Sequence, residues 1–197
     1  LNDNEFTGSL QGPGDLGGDT RLVMTFDEKP SDNKLQPIHW AIGRRSCFHC
    51  TDAGCVAICS SGALKKNDNG VVSFDTEKCN GCTYCQSACP FDVPRFRDTD
   101  GKIDKCTLCL DRLEEGQIPA CVKTCQPEAL KFGPREEMLE IGRKRVEFLK
   151  AKGFDKAELY GEKEMGGLHV LHVLKFGHEA YGLPTDPKPN SMIGVMQ

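Results

Sequence analysis

Twelve of the 197 residues are cysteines, and they stand in three tight groups. The first is Cys47-x2-Cys50-x4-Cys55-x3-Cys59. The second is Cys79-x2-Cys82-x2-Cys85-x3-Cys89-Pro90, and the third is Cys106-x2-Cys109-x11-Cys121-x3-Cys125. Thiols so placed could form disulfides, hold zinc or grip an inorganic cluster. Disulfide frameworks belong to short secreted chains with scattered spacings, and cysteines two apart make poor partners for one another. Zinc needs one Cys-x2-Cys pair and a second pair a dozen or more residues on. Cys106/Cys109 and Cys121/Cys125 could meet that pattern as a zinc-stapled interaction module. One tetrahedral ion has no use for Cys79, Cys82 and Cys85 crowded together with a fourth cysteine before a proline.

That second group reproduces the run C-x2-C-x2-C-x3-C-P of bacterial ferredoxins, which wraps a [4Fe–4S] cube. Three thiolates bind one cube, and the fourth cysteine reaches a neighbouring cube. Gly81 lets the backbone come close enough for amide N–H groups to point at sulfur. Exchange of fourth ligands then gives one cube on Cys47, Cys50, Cys55 and Cys89. A second cube sits on Cys79, Cys82, Cys85 and Cys59. His49, inside the first loop, is expected to donate a hydrogen bond near a cube rather than to ligate iron.

The third group repeats the first. Ala53-Gly-Cys55-Val-Ala-Ile-Cys59-Ser-Ser-Gly-Ala63-Leu64 aligns with Pro119-Ala-Cys121-Val-Lys-Thr-Cys125-Gln-Pro-Glu-Ala129-Leu130. Each follows a Cys-x2-Cys pair, so a whole unit is duplicated. The first copy has the run 79–89 as its partner; the second copy has none. Either Cys106, Cys109, Cys121 and Cys125 close a third cube alone, or a partner run stood upstream of Leu1. The start Leu1-Asn-Asp-Asn-Glu has no initiator methionine and no leader, so a fragment is expected.

The elements that must position these loops are short. The expected class is α+β: duplicated ferredoxin-like modules of the 2[4Fe–4S] type, loop-rich, with a C-terminal helix and strand extension. The boundaries are 1–46 for the opening segment of one module, 47–105 for a complete module, 106–133 for the rest of the first, and 134–197 for the extension. Residues 63–74 read as a hairpin turning at Asn67-Asp-Asn-Gly70. Leu22–Phe26 and Ile38–Ile42 read as strands. Pro134 to Lys152 reads as a helix with proline in its first turn, acids early, lysines late and Gly153 after it. Met138, Ile141, Arg145, Val146 and Leu149 are expected on its packed face. Leu168–Leu174 reads as a buried strand, and the tail from Gly182 as extended.

Composition narrows the function. Hydrophobic residues make up 38% of the chain, and 21 glycines and 11 prolines mark it as loop-rich. Burial alone is a weak tie for such loops. The net charge is −4 with no basic run, so nucleic acid is not an expected partner. No apolar stretch approaches the length of a membrane span. His169, His172 and His178 match no ligand spacing and read as strand or surface residues. Arg95, Arg97, Lys102 and Lys105 are either solvated charge or counter-charge to anionic cubes. No nucleophile elbow or phosphate-binding loop is present, so no catalytic residue is expected.

Cys47-Phe-His-Cys50, Cys79-Asn-Gly-Cys-Thr-Tyr-Cys85, Cys89-Pro-Phe-Asp-Val-Pro94, Lys105-Cys-Thr-Leu-Cys109 and Pro119-Ala-Cys-Val-Lys-Thr-Cys125 resemble the iron–sulfur subunits of molybdopterin oxidoreductases. Gly166-Gly-Leu-His-Val170 and Tyr181-Gly-Leu-Pro-Thr-Asp-Pro187 are similar to the β subunits of membrane-bound formate dehydrogenases within that group, rather than to nitrate or dimethyl sulfoxide reductase subunits; the alternative is the equivalent iron–sulfur subunit of a polysulfide or dimethyl sulfoxide-type reductase or a hydrogenase. The resemblance implies four [4Fe–4S] clusters on sixteen cysteines. It implies that Cys106, Cys109 and Cys121 share a cube with a cysteine from an absent first group, whose own cube Cys125 completes. It also implies partners: a catalytic subunit with a molybdenum or tungsten bis-pterin (bisPGD) cofactor, and a membrane cytochrome b that passes electrons to quinone. Membrane association would run through partners or an absent C-terminal helix. The implied location is the periplasmic side of the cytoplasmic membrane, with the cytoplasm as the alternative.

Overall fold

The computed structural model describes residues 12–31 and 34–189. Residues 1–11 of the opening segment and 190–197 of the expected extended tail lie outside the described residues. The chain is a small α+β fold of four antiparallel two-stranded ribbons and five short or medium helices, with two turns of 3₁₀ helix, among the described residues.

β1 (Leu22–Pro30) pairs with β2 (Ile38–Ser46), so both strands run further than their apolar cores suggest. One face, with Val23, Ala41 and Gly43, is buried, and the other carries exposed Trp40 and Ile42. α1 (Gly54–Ala57) follows, then the expected hairpin of β3 (Leu64–Lys66) and β4 (Val72–Phe74). α2 (Tyr84–Ala88) leads to β5 (Arg95–Arg97) and β6 (Lys102–Asp104), a ribbon the sequence reading treats only as charge. α3 (Leu110–Glu114) and α4 (Ala120–Thr124) carry the third cysteine group and bury no residue.

α5 (Arg135–Ala151) is the expected helix, with Pro134 at its N-cap rather than inside its first turn. Its packed face differs from expectation. Leu139, Gly142 and Val146 are buried, whereas Ile141 and Arg145 are exposed. Gly142 is the reason: a Cβ there would lie 2.7 Å from Leu159 Cδ1, so the helix rests on its bare backbone. Leu159 belongs to β7 (Glu158–Tyr160), which pairs with β8 (His172–Leu174). The expected strand 168–174 is therefore shorter, because Leu168 instead forms a lone bridge with Cys50.

The three C-terminal histidines take different roles. His178 meets an acid absent from its sequence neighbourhood, with Nδ1 2.8 Å from Glu158 Oε1. His172 packs its ring 4.9 Å from that of Phe48. Burial, and then the Arg44 guanidinium, lowers its pKa from 6.5 to about 4. An unfolded histidine gains its proton near pH 6.5, while the folded one resists until about 4. Stability from neutral His172 is thus whole above pH 6.5 and is lost as pH falls toward 4. At about 1.4 kcal/mol per unit the full loss is about 3 kcal/mol. His172→Phe should flatten that limb of a stability-versus-pH curve; an unchanged acid limb would contradict the assignment.

Candidate iron–sulfur site

The three cysteine groups share one backbone template. The residue before the second cysteine of each group has positive φ: His49 at 49°, Gly81 at 72° and Leu108 at 54°. Three residues past the last cysteine of each group the same happens, at Gly62 (67°), Asp92 (49°) and Glu128 (52°). The N–H of each of these donates to the carbonyl of that cysteine, at 3.1, 3.1 and 3.0 Å. Such left-handed turns aim successive amides inward.

Those amides point at sulfur. His49 N–H donates to Cys47 Sγ and Leu108 N–H to Cys106 Sγ, both at 3.4 Å. Leu130 N–H donates to Cys125 Sγ at 3.4 Å. Burial raises the Cys59 thiol pKa, but the Ser61 hydroxyl and the amides of Leu64, Ala63 and Ser61 outweigh it, and the net shift is down. Leu64 and Leu130 are equivalent in the repeat.

Cysteines distant in sequence converge. The charge on Cys50 is opposed first by burial and then by Cys47, Cys89 and Cys55, which push its pKa up. Cys55 is raised to about 12 by burial and then by Cys47 and Cys89. Cys59, Cys79, Cys82 and Cys85 line one open cavity of ≈ 310 Å³. Burial, then Cys59, Cys82 and Cys79, raises Cys85 to about 12. Of the third group, Cys106 packs on the same core as Cys47, Cys50 and Cys89. Cys109, at the N-cap of α3, and Cys121 and Cys125, on and just after α4, are half-buried at the edge of the fold.

All twelve cysteines are free thiols. Among the described residues, no three His, Cys, Asp or Glu side chains are grouped to hold one metal ion. The donor set fits a cluster better than a single zinc. Burial and mutual repulsion oppose the charges of the crowded thiolates, and a cationic cluster core bound by all of them relieves both. The amides already face their sulfurs, and a cavity lies between four of the cysteines.

Gly81 has a second reason for being glycine. A Cβ there would lie 2.0 Å from the Gly101 carbonyl oxygen, at the turn between β5 and β6. Gly81→Ala should cost about 1–3 kcal/mol from its positive φ alone, plus that clash. Thermal unfolding that stays within a degree of the parent would contradict this.

The C-terminal extension straps the first loop. Thr51 N–H donates to Gly167 O, Asp52 N–H to Met165 O, and His169 N–H to Phe48 O, at 2.8–3.0 Å. The His169 ring reaches His49 O at 2.7 Å. The charged residues between the cysteine groups are mostly spoken for. Arg95 pairs with Asp92 and Asp15, Arg97 pairs with Asp100 and Asp104, and Lys102 Nζ donates to Thr76 O. Lys105 alone of them is buried.

Residues 38–135 match the family described as 4Fe-4S dicluster domain. The chain belongs to this 4Fe–4S dicluster family. It is 42% identical over 192 residues to the formate dehydrogenase, nitrate-inducible, iron-sulfur subunit of Escherichia coli, covering 95% of this chain and 64% of that protein. It is 43% identical over 185 residues to a formate dehydrogenase iron-sulfur subunit of Haemophilus influenzae, covering 92% and 58%. A hydrogenase-2 operon protein of Escherichia coli O157:H7 is 34% identical over 190 residues, covering 83% and 58%. The chain thus spans roughly three fifths of the length of the curated relatives it matches. Among the described residues, no helix of this iron–sulfur protein is long and apolar enough to cross a membrane.

Proposed function

We propose that the chain is the electron-transfer subunit of a formate dehydrogenase. It relays electrons from a catalytic subunit bearing a molybdenum or tungsten bis-pterin cofactor toward a membrane cytochrome b and quinone. Relatives named as formate dehydrogenase iron–sulfur subunits, at 42–43% identity over nearly the whole chain, support that choice. The single carrying observation is convergence: cysteines from separate groups face one another beneath amides aimed at their sulfurs.

In this reading Cys47, Cys50, Cys55 and Cys89 hold one cube, and Cys79, Cys82, Cys85 and Cys59 hold another. Cys106, Cys109 and Cys121 begin a third, and Cys125 serves that or a fourth. A bound cube supplies one-electron transfer at a potential set by its surroundings. The chain's own contribution is to bury the thiols and fix the sulfurs with amide donors. The matching turns after Cys59, Cys89 and Cys125 favour a duplicated architecture, with 47–105 as one module and 106–133 completing another. The assembly would lie against the periplasmic side of the cytoplasmic membrane through its partners.

The test is anaerobic isolation of the complex from its source, followed by addition of formate. The expected result is a co-purifying pterin subunit and rapid appearance of reduced-cluster EPR signals. Signals that appear with hydrogen or a sulfur donor, and never with formate, would reassign the partner.

A further inference from the structure

Lys105 is 2% exposed, the only buried lysine among the described residues. Its Nζ donates to Val72 O at 2.5 Å and to Cys106 O at 3.0 Å. Both partners are neutral carbonyls, and among the described residues no carboxylate pairs with it. Asp104, next in sequence, takes the Lys105 amide N–H on one oxygen and the Arg21 guanidinium on the other. A buried cation without an anion is costly, and proteins retain one where a negative group completes the pair.

Cysteines of two different sets lie around it: Nζ bonds the carbonyl of Cys106, and Val72, its other partner, belongs to the core on which Cys55 packs. The Lys105 charge lowers the Cys55 pKa, against the burial that dominates there. On the other side stands His49, fully buried. Its Nδ1 accepts the Val72 N–H at 3.0 Å, so a neutral ring carries its proton on Nε2. Nε2 has no partner in full hydrogen-bond geometry, and the group it acts on is the Cys106 thiol. Val72 therefore ties both side chains together, its N–H to His49 and its carbonyl to Lys105. The pair sits between the loop that holds Cys47, Cys50 and Cys55 and the start of the third group at Cys106.

We propose that Lys105 is a shared counter-charge, a positioning residue that raises the reduction potentials of two cubes at once: the one on Cys47, Cys50, Cys55 and Cys89, and the one begun by Cys106. The inference rests on the ligand sets given under Proposed function. Adding an electron to either cube adds negative charge beside a fixed ammonium, so reduction is favoured at both. Lys105 is not among the leading charges acting on Cys59 or Cys85, so the cube on Cys79, Cys82, Cys85 and Cys59 should respond least.

The test uses the intact complex carrying Lys105→Met or Lys105→Arg, with iron and sulfide content and EPR-monitored reductive titration as readouts. Full cluster content in the parent secures the ligand reading independently. Lys105→Met should then lower the reduced-to-oxidised ratio of two cubes at least tenfold at fixed potential, about 59 mV for one electron. The third signal should stay in place, and Lys105→Arg should restore the other two. Loss of clusters from Lys105→Met alone, with Lys105→Arg intact, also supports the charge role. Unmoved potentials in a fully loaded Met variant would overturn the proposal, as would equal cluster loss from both variants.

Discussion

Cys89→Ala should strip the cube of Cys47, Cys50 and Cys55 and spare the cube of its own sequence neighbours Cys79, Cys82 and Cys85. The reciprocal variant, Cys59→Ala, should damage the set 79–85 and spare its own neighbours. The reason is the convergence of charges: Cys50 and Cys55 feel Cys89, while Cys85 feels Cys59. EPR of each variant, compared with Cys47→Ala and Cys79→Ala, measures the pairing. Cys89→Ala should match Cys47→Ala, and Cys59→Ala should match Cys79→Ala. Each should lose up to one cube's iron. A Cys89→Ala spectrum that matched Cys79→Ala would mean that each run closes its own cube.

Iron removal should unfold the cysteine module while α5 persists. Both cores are built partly from cysteines. Cys47 packs with Phe48, Phe91, Tyr160 and Leu168, and Cys85 packs with Leu64, Val72 and Ile103. Cluster binding is therefore coupled to folding here, as metal binding is in other small metal-dependent folds. A chelated, reduced sample should keep the circular dichroism of α5 and lose the cooperative thermal transition of the rest. A melting temperature within a few degrees of the loaded protein would contradict this.

The cysteine chemistry was legible because spacing alone carries it. The run 79–89 specifies its own turn, and the repeat at 106–125 preserves the Cys-x2-Cys and Cys-x3-Cys spacings, with a longer loop between them, and the Ala-Leu that places an amide on the last sulfur. The α5 helix was legible from its ends, Pro134 and Gly153. Its packed face was not, because a pattern search seeks large apolar residues and this helix docks through Gly142. The β5–β6 ribbon escaped for a related reason. Arg95-Phe-Arg97 and Lys102-Ile-Asp104 are short and charged, and the only cue was the turn at Asp98-Thr-Asp-Gly101. The strap from 165 to 170 could not be read at all, since its hydrogen bonds to Phe48, Thr51 and Asp52 join residues more than a hundred positions apart. Glu158, which meets His178, was hidden because the two lie twenty positions apart on either side of the β7–β8 ribbon.

The central claim is that these thiols grip cubes of iron and inorganic sulfide. Chemical analysis of oxygen-protected material tests it most directly. The account predicts a brown protein with iron and acid-labile sulfide in equal amounts, enough for at least two cubes per chain. A colourless protein that holds zinc and no labile sulfide would contradict it.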